Sequence, residues 1–153
     1  MTGFKSVEEI LEFAIGEEEA AAELYAEMAR RATDPRMRQV WESFSREEEE
    51  HKRKLENVKI EYQEDFPAER IAEMSRGDFE VDETPDPGMD YAKALRLVMQ
   101  QEVAAFRLYT RLAALAAAAE NQKLRGLFLG LAQEEANHKL HFEVEYDEIF
   151  GSS

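Results

Sequence analysis

Four long stretches of this chain repeat apolar residues every three or four positions, the spacing of one face of an α-helix. The first opens at Ser6-Val7-Glu8-Glu9, a capping-box pattern in which Ser6 and Glu9 satisfy each other's free backbone amides. Its stripe of Val7, Leu11, Ala14, Ala21, Leu24, Tyr25 and Met28 predicts a helix over about 6–33. Asp34-Pro35 then gives an N-cap followed by proline at the first helical position. That starts a second helix over about 35–61, with Val40, Trp41, Phe44, Leu55 and Val58 on its buried side. From Tyr62 to Gly88 the pattern breaks at Pro67, Gly77, Pro85, Pro87 and Gly88, leaving room for a short helix at Ala68–Ser75. A third long helix over about 90–119 carries Leu95, Val98, Phe106, Tyr109 and Leu112 and runs into the Ala113–Ala119 stretch. Asn121 caps a fourth over about 122–150, whose apolar side includes Leu124, Phe128, Leu131, Phe142 and Ile149.

Short connections within each pair imply antiparallel hairpins. The connection at about 62–89 is long enough to cross the length of a bundle. The expected fold is therefore all-α, a four-helix bundle formed by one domain over 1–153, with a long crossover between the second and third long helices. The two halves also repeat each other. A shift of 84 positions pairs Leu11 with Leu95, Glu18 with Glu102, Leu24 with Leu108 and Tyr25 with Tyr109. A shift of 87 pairs Arg38 with Arg125, Trp41 with Phe128, Glu48 with Glu135 and His51 with His138. The difference of three residues is expected in the hairpin loops.

Composition narrows the function. A formal charge of −15 would repel nucleic acid and attract cations. With no cysteine, the chain has no disulfide, thiolate catalyst or Cys-ligated metal. No uncharged apolar run approaches the roughly 18–20 residues that cross a bilayer. Near the start, Lys5, Glu8, Glu9 and Glu12 stand where a signal peptide would need an apolar core. A soluble, cytoplasmic protein is the expectation.

The chemistry lies in the repeat. Glu48 and His51, like Glu135 and His138, are three residues apart and share a helix face. Their apolar neighbours, Phe44 and Leu55 in one case and Leu131 and Phe142 in the other, turn them inward. Glu18 lies on the stripe between Leu11 and Tyr25, and Glu102 on that between Leu95 and Tyr109. Four carboxylates aimed at one core repel strongly. Two divalent cations beside two neutral imidazoles would balance them. His141 pairs with Lys54 in the repeat and reads as an outer or surface group. Glu17, Glu19, Glu47, Glu49, Glu50 and Glu134 read as solvated faces or outer-shell groups.

One Glu from each of two helices and Glu-x-x-His from each of the other two is the ferritin-like dimetal pattern. At these residues the chain resembles the ferritin-like superfamily, specifically its rubrerythrin-like branch, over essentially residues 6–150. The resemblance implies bridging roles for Glu48 and Glu135, with Glu18 and His51 completing one iron and Glu102 and His138 the other. It also implies that Tyr25 and Tyr109 hydrogen-bond ligand carboxylates across the bundle. The chain departs from rubrerythrins proper in lacking their Cys-rich rubredoxin module. It departs again at Ala105, where they carry an additional glutamate. The six residues that remain are closer to the ferroxidase centre of bacterioferritins.

The expected function is thus that of a non-haem diiron oxidoreductase of the ferroxidase or peroxidase type. It would oxidise Fe²⁺ with O₂ or H₂O₂ in iron handling or oxidative-stress defence, and draw on an external electron donor. Manganese and zinc are the alternative metals. A non-catalytic dimetal-binding, structural or adaptor protein is the alternative function, and substrate hydroxylation a third. No nucleic acid or membrane is expected as partner. The resemblance implies a homodimer, and the long crossover would allow helix pairs to be exchanged between chains.

Overall fold

A computed structural model describes residues 3–61, 66–86 and 88–151, so residues 62–65 and 87 of the expected crossover lie outside the described residues. Its helices are α1 (Val7–Arg31), α2 (Pro35–Glu61), α3 (Ala68–Ala72), α4 (Tyr91–Ala118) and α5 (Gln122–Phe150), with one 3₁₀ turn at Arg76–Asp78. The described residues contain no strand, only an isolated antiparallel bridge between Gly3 and Ser75. No described helix is long and apolar enough to cross a membrane. The chain divides into two compact units: Lys5–Glu64, and Asp65–Ser153 together with Met1–Phe4.

The first unit is the α1–α2 hairpin. The Ser6 side chain accepts from Glu9 N at 3.1 Å and fixes where α1 begins. At the turn, Asp34 Oδ1 accepts from Arg36 N at 3.0 Å, and Arg38 Nη2 donates to the Ala32 carbonyl at 2.8 Å. Further along, the Ser45 hydroxyl donates to the Ala22 carbonyl at 2.8 Å and ties the two helices together. The core is built from Ile10, Leu11, Ala14, Tyr25 and Met28 of α1 with Trp41, Leu55 and Val58 of α2. The Tyr25 and Trp41 rings pack with centroids 5.6 Å apart. Glu48 and His51 lie among the same buried positions of α2.

The second unit holds the α4–α5 hairpin. Asp90 caps α4 by accepting from Lys93 N at 2.8 Å. At the other end, Asn121 N donates to the Ala116 carbonyl at 2.9 Å and Glu120 N to the Ala117 carbonyl at 3.0 Å. This is a Schellman closure, and it needs a left-handed residue at position 120. That residue is Glu120, with φ 59°. A Cβ there costs about 1–2 kcal/mol. Glu120→Gly is therefore expected to raise unfolding stability by about 1 kcal/mol, measured by urea denaturation. Asn121 then caps α5 by accepting from Leu124 N at 3.0 Å.

Residues 66–86 and 88–89 belong to this same unit. Phe66, Ile71, Met74, Phe79 and Met89 are buried, and the Phe66 and Phe128 rings lie 6.4 Å apart. The short helix stops at Ala72 rather than Ser75 because pairing with the N-terminal segment takes over. Phe4 N donates to the Met74 carbonyl at 3.2 Å, and the Arg76 guanidinium sits 5.0 Å over the Phe4 ring.

Three further expectations from the sequence need correcting. Both hairpin loops have the same length, residues 32–34 and 119–121, so the three extra residues lie in α4. Ala116, Ala117 and Ala118 prolong that helix because alanine has the highest helix propensity. Phe106 is 42 % exposed, at the margin of the buried stripe of α4. Ile149 is 50 % exposed because α5 outruns its neighbour. The hydroxyl of Tyr91, the first residue of α4, already reaches Glu145 at 3.0 Å, so the last turn of α5 overhangs.

Candidate metal centre

Each hairpin assembles the same three donors. In the first, α1 supplies Glu18, and α2 supplies Glu48 and, one turn later, His51. His51 Nδ1 lies 3.0 Å from Glu18 Oε2 and 3.7 Å from Glu48 Oε2. In the second, α4 supplies Glu102 and α5 supplies Glu135 and His138. His138 Nδ1 lies 3.6 Å from Glu102 Oε2 and 3.6 Å from Glu135 Oε1. Within each triad every residue offers a ligand atom within 4.8 Å of the others. All six residues are at most 2 % exposed.

Helical spacing explains these positions. Glu and His three residues apart stand over one another on a helix. The two partner helices then bring a second carboxylate to the same imidazole. Carboxylates buried side by side repel, and hydrogen bonding or a cation must offset that. In the first hairpin Glu18 Oε2 and His51 Nδ1 are at hydrogen-bonding distance, with Nδ1–H donating in the tautomer that protonates it. Two carboxylates and one imidazole, all buried, are also a donor set that iron, manganese or zinc accepts. On donor chemistry and spacing, each triad fits a divalent metal.

The surrounding acidic residues point elsewhere. Glu17, Glu19 and Glu50 are exposed, as is His141, whereas Glu47, Glu49 and Glu134 are half-buried. Glu50, beside His51 in sequence, turns outward to Arg53, whose hydrogen bond holds its carboxyl below the usual carboxylate range. Tyr25 and Tyr109 are buried one heptad after Glu18 and Glu102. One further carboxylate, outside the candidates that the sequence offers, is buried. Glu145 is 5 % exposed and accepts from the Tyr91 hydroxyl at 3.0 Å. Its signal was there, since Glu145 continues the Glu135, His138 and Phe142 face by another three residues.

Residues 9–84 match a protein-family model described as Rubrerythrin. The chain is rubrerythrin-like, and so of the ferritin-like type. The rubrerythrin match spans most of α1, all of α2 and α3, and thus the triad Glu18, Glu48 and His51. The second triad lies beyond it, and the internal repeat relates Glu102, Glu135 and His138 to the first. No curated protein and no solved structure matches the chain.

Proposed function

We propose that the two hairpins close into a ferritin-like four-helix bundle, with 62–89 as its crossover, and that their triads together hold two iron ions. In this reading the protein is a diiron oxidoreductase that oxidises Fe²⁺ with O₂ or H₂O₂. The observation that carries it is the duplication of one buried triad, two carboxylates converging on one imidazole, in a rubrerythrin-like chain. Charge supports the pairing. Four carboxylates beside two neutral histidines are balanced by two divalent cations, and a single cation leaves two negative charges buried.

Glu48 and Glu135 are the carboxylates we assign to both metals, with Glu18 and His51 completing one position and Glu102 and His138 the other. The bound iron would supply the electrons, two Fe²⁺ giving one each to reduce O₂ with two protons to H₂O₂, or H₂O₂ with two protons to water. The protein's own part is to fix the donors and exclude water. Trp41 and Tyr25, both fully buried, pack against each other in the hairpin that carries the first triad. We assign the hydroxyls of Tyr25 and Tyr109 to orienting ligand carboxylates.

A steady-state and stopped-flow comparison tests the activity. Protein loaded anaerobically with Fe²⁺ is mixed separately with O₂ and with H₂O₂. Iron oxidation at least about tenfold faster than that of the same Fe²⁺ in buffer is expected with one oxidant. Equal rates with and without protein for both oxidants would leave a metal-holding protein without turnover.

A further inference from the structure

Between Ala29 and Arg46 the chain reverses its charge. That stretch holds five arginines (Arg30, Arg31, Arg36, Arg38 and Arg46), no lysine, and two acids, Asp34 and Glu42, in a chain whose formal charge is −15. Three of the arginines, Arg30 of α1 with Arg38 and Arg46 of α2, line one open groove of about 670 Å³. Ala26 and Ala29 of α1 and Glu42 and Ser45 of α2 complete the lining, so the groove lies wholly within the first hairpin. Arg38, Glu42 and Arg46 follow at four-residue spacing and share a face of α2.

Elsewhere the cations of this acidic chain find carboxylates. Arg53 pairs with Glu50, Lys59 with Glu12 and Lys139 with Glu143, and in the groove Arg30 pairs with Glu27. Arg38 instead donates to the Ala32 carbonyl and makes no ion pair with a described residue. Arg46 and Glu42 make neither a hydrogen bond nor an ion pair with one. The internal repeat shows that the hairpin does not require these charges. The positions of the second hairpin that match Arg30, Glu42 and Arg46 are Ala114, Leu129 and Gln133, while Arg38 keeps its charge there as Arg125. The charged groove is a property of the first hairpin.

A guanidinium stays charged at physiological pH and presents a planar fork of donors that matches a tetrahedral oxyanion. It cannot accept a hydrogen bond, and an ionised carboxylate can only accept. Three such donors beside one acceptor suit an anion that is rich in oxygen and still carries a hydrogen. At neutral pH inorganic phosphate keeps a P–O–H hydrogen, whereas sulfate has none. We propose that this groove between α1 and α2 binds inorganic phosphate, with Arg30, Arg38 and Arg46 donating to the anion and Glu42 accepting from its P–O–H group. Glu42 repels an oxyanion that has no hydrogen to offer, so the same acid supplies the selectivity. The proposal does not depend on the metal reading, since none of the six candidate ligands lines the groove.

Calorimetric titration of the full chain at fixed ionic strength tests it, with the arginine Nε–H resonances followed by NMR to locate the anion. At about pH 8 inorganic phosphate retains its hydrogen, while a phosphate monoester such as glycerol phosphate has lost its own. Phosphate is expected to bind saturably and to move the Arg38 and Arg46 resonances. Sulfate and glycerol phosphate should bind at least about tenfold more weakly. Arg46→Gln is expected to weaken phosphate binding by about tenfold. Glu42→Gln should bring phosphate and sulfate to within about threefold of each other, which a merely structural role for Glu42 would not do. Both side chains are exposed, so both variants should keep the helical circular dichroism. No saturable phosphate binding, sulfate bound as tightly as phosphate, Arg46→Gln without effect, or selectivity unchanged in Glu42→Gln would each overturn the proposal.

Discussion

Glu48→Ala is expected to reduce iron binding from two ions per chain to one or none, and Glu135→Ala to do the same. The two carboxylates hold matching positions in the repeat, each three residues before its histidine and each at most 1 % exposed. Losing an outer hydrogen-bond partner of a metal ligand typically weakens affinity about 10–100-fold, and losing a carboxylate assigned to both metals should exceed that. Anaerobic titration with a chromophoric Fe²⁺ chelator as competitor measures the stoichiometry. The metal-free variants separate this from misfolding. Each removes a buried acid from beside another, so the metal-free Glu48→Ala protein should keep its helical spectrum. If either variant still took up two irons with unchanged affinity, the assignment of these two carboxylates would be wrong.

The second large effect concerns stability. A metal that binds the folded chain adds RT ln(1 + [M]/Kd), about 2.7 kcal/mol at a hundredfold excess over Kd for a single site. A chain of this size shifts by roughly 2–4 °C per kcal/mol, so one occupied site should raise Tm by about 5–10 °C and a pair by more. Zn²⁺ or Mn²⁺ under anaerobic conditions serves as the probe, free of iron oxidation. The gain should vanish in a double variant that removes His51 and His138. It should remain in Glu17→Ala, whose side chain is exposed on the same helix as Glu18. An equal gain in the double-histidine variant would mean that the metal binds the acidic surface rather than the buried triads.

Much of this was legible before any coordinates, for local reasons. Ser6, Asp34 and Asn121 mark helix starts because their side chains accept backbone donors that a helix leaves open, and the structure shows each of them doing so. The meeting of Glu and His within each triad follows from a spacing of three residues and from the repeat. Tertiary effects were harder to read. Glu145 looks like one more acid on an acidic helix until Tyr91 is brought across to it. The three extra residues of the second half could have lengthened a loop, and the alanines at 116–118 turned them into helix instead.

The central claim is that both hairpins contribute to one centre holding two metals, and X-ray absorption on anaerobically Fe²⁺-loaded protein tests it most directly. The account predicts an iron–iron vector at about 3.5–4 Å, the separation of paired metal sites, that disappears in Glu48→Ala. Two irons bound per chain with no iron–iron vector would mean that each hairpin holds its own metal, and would contradict it.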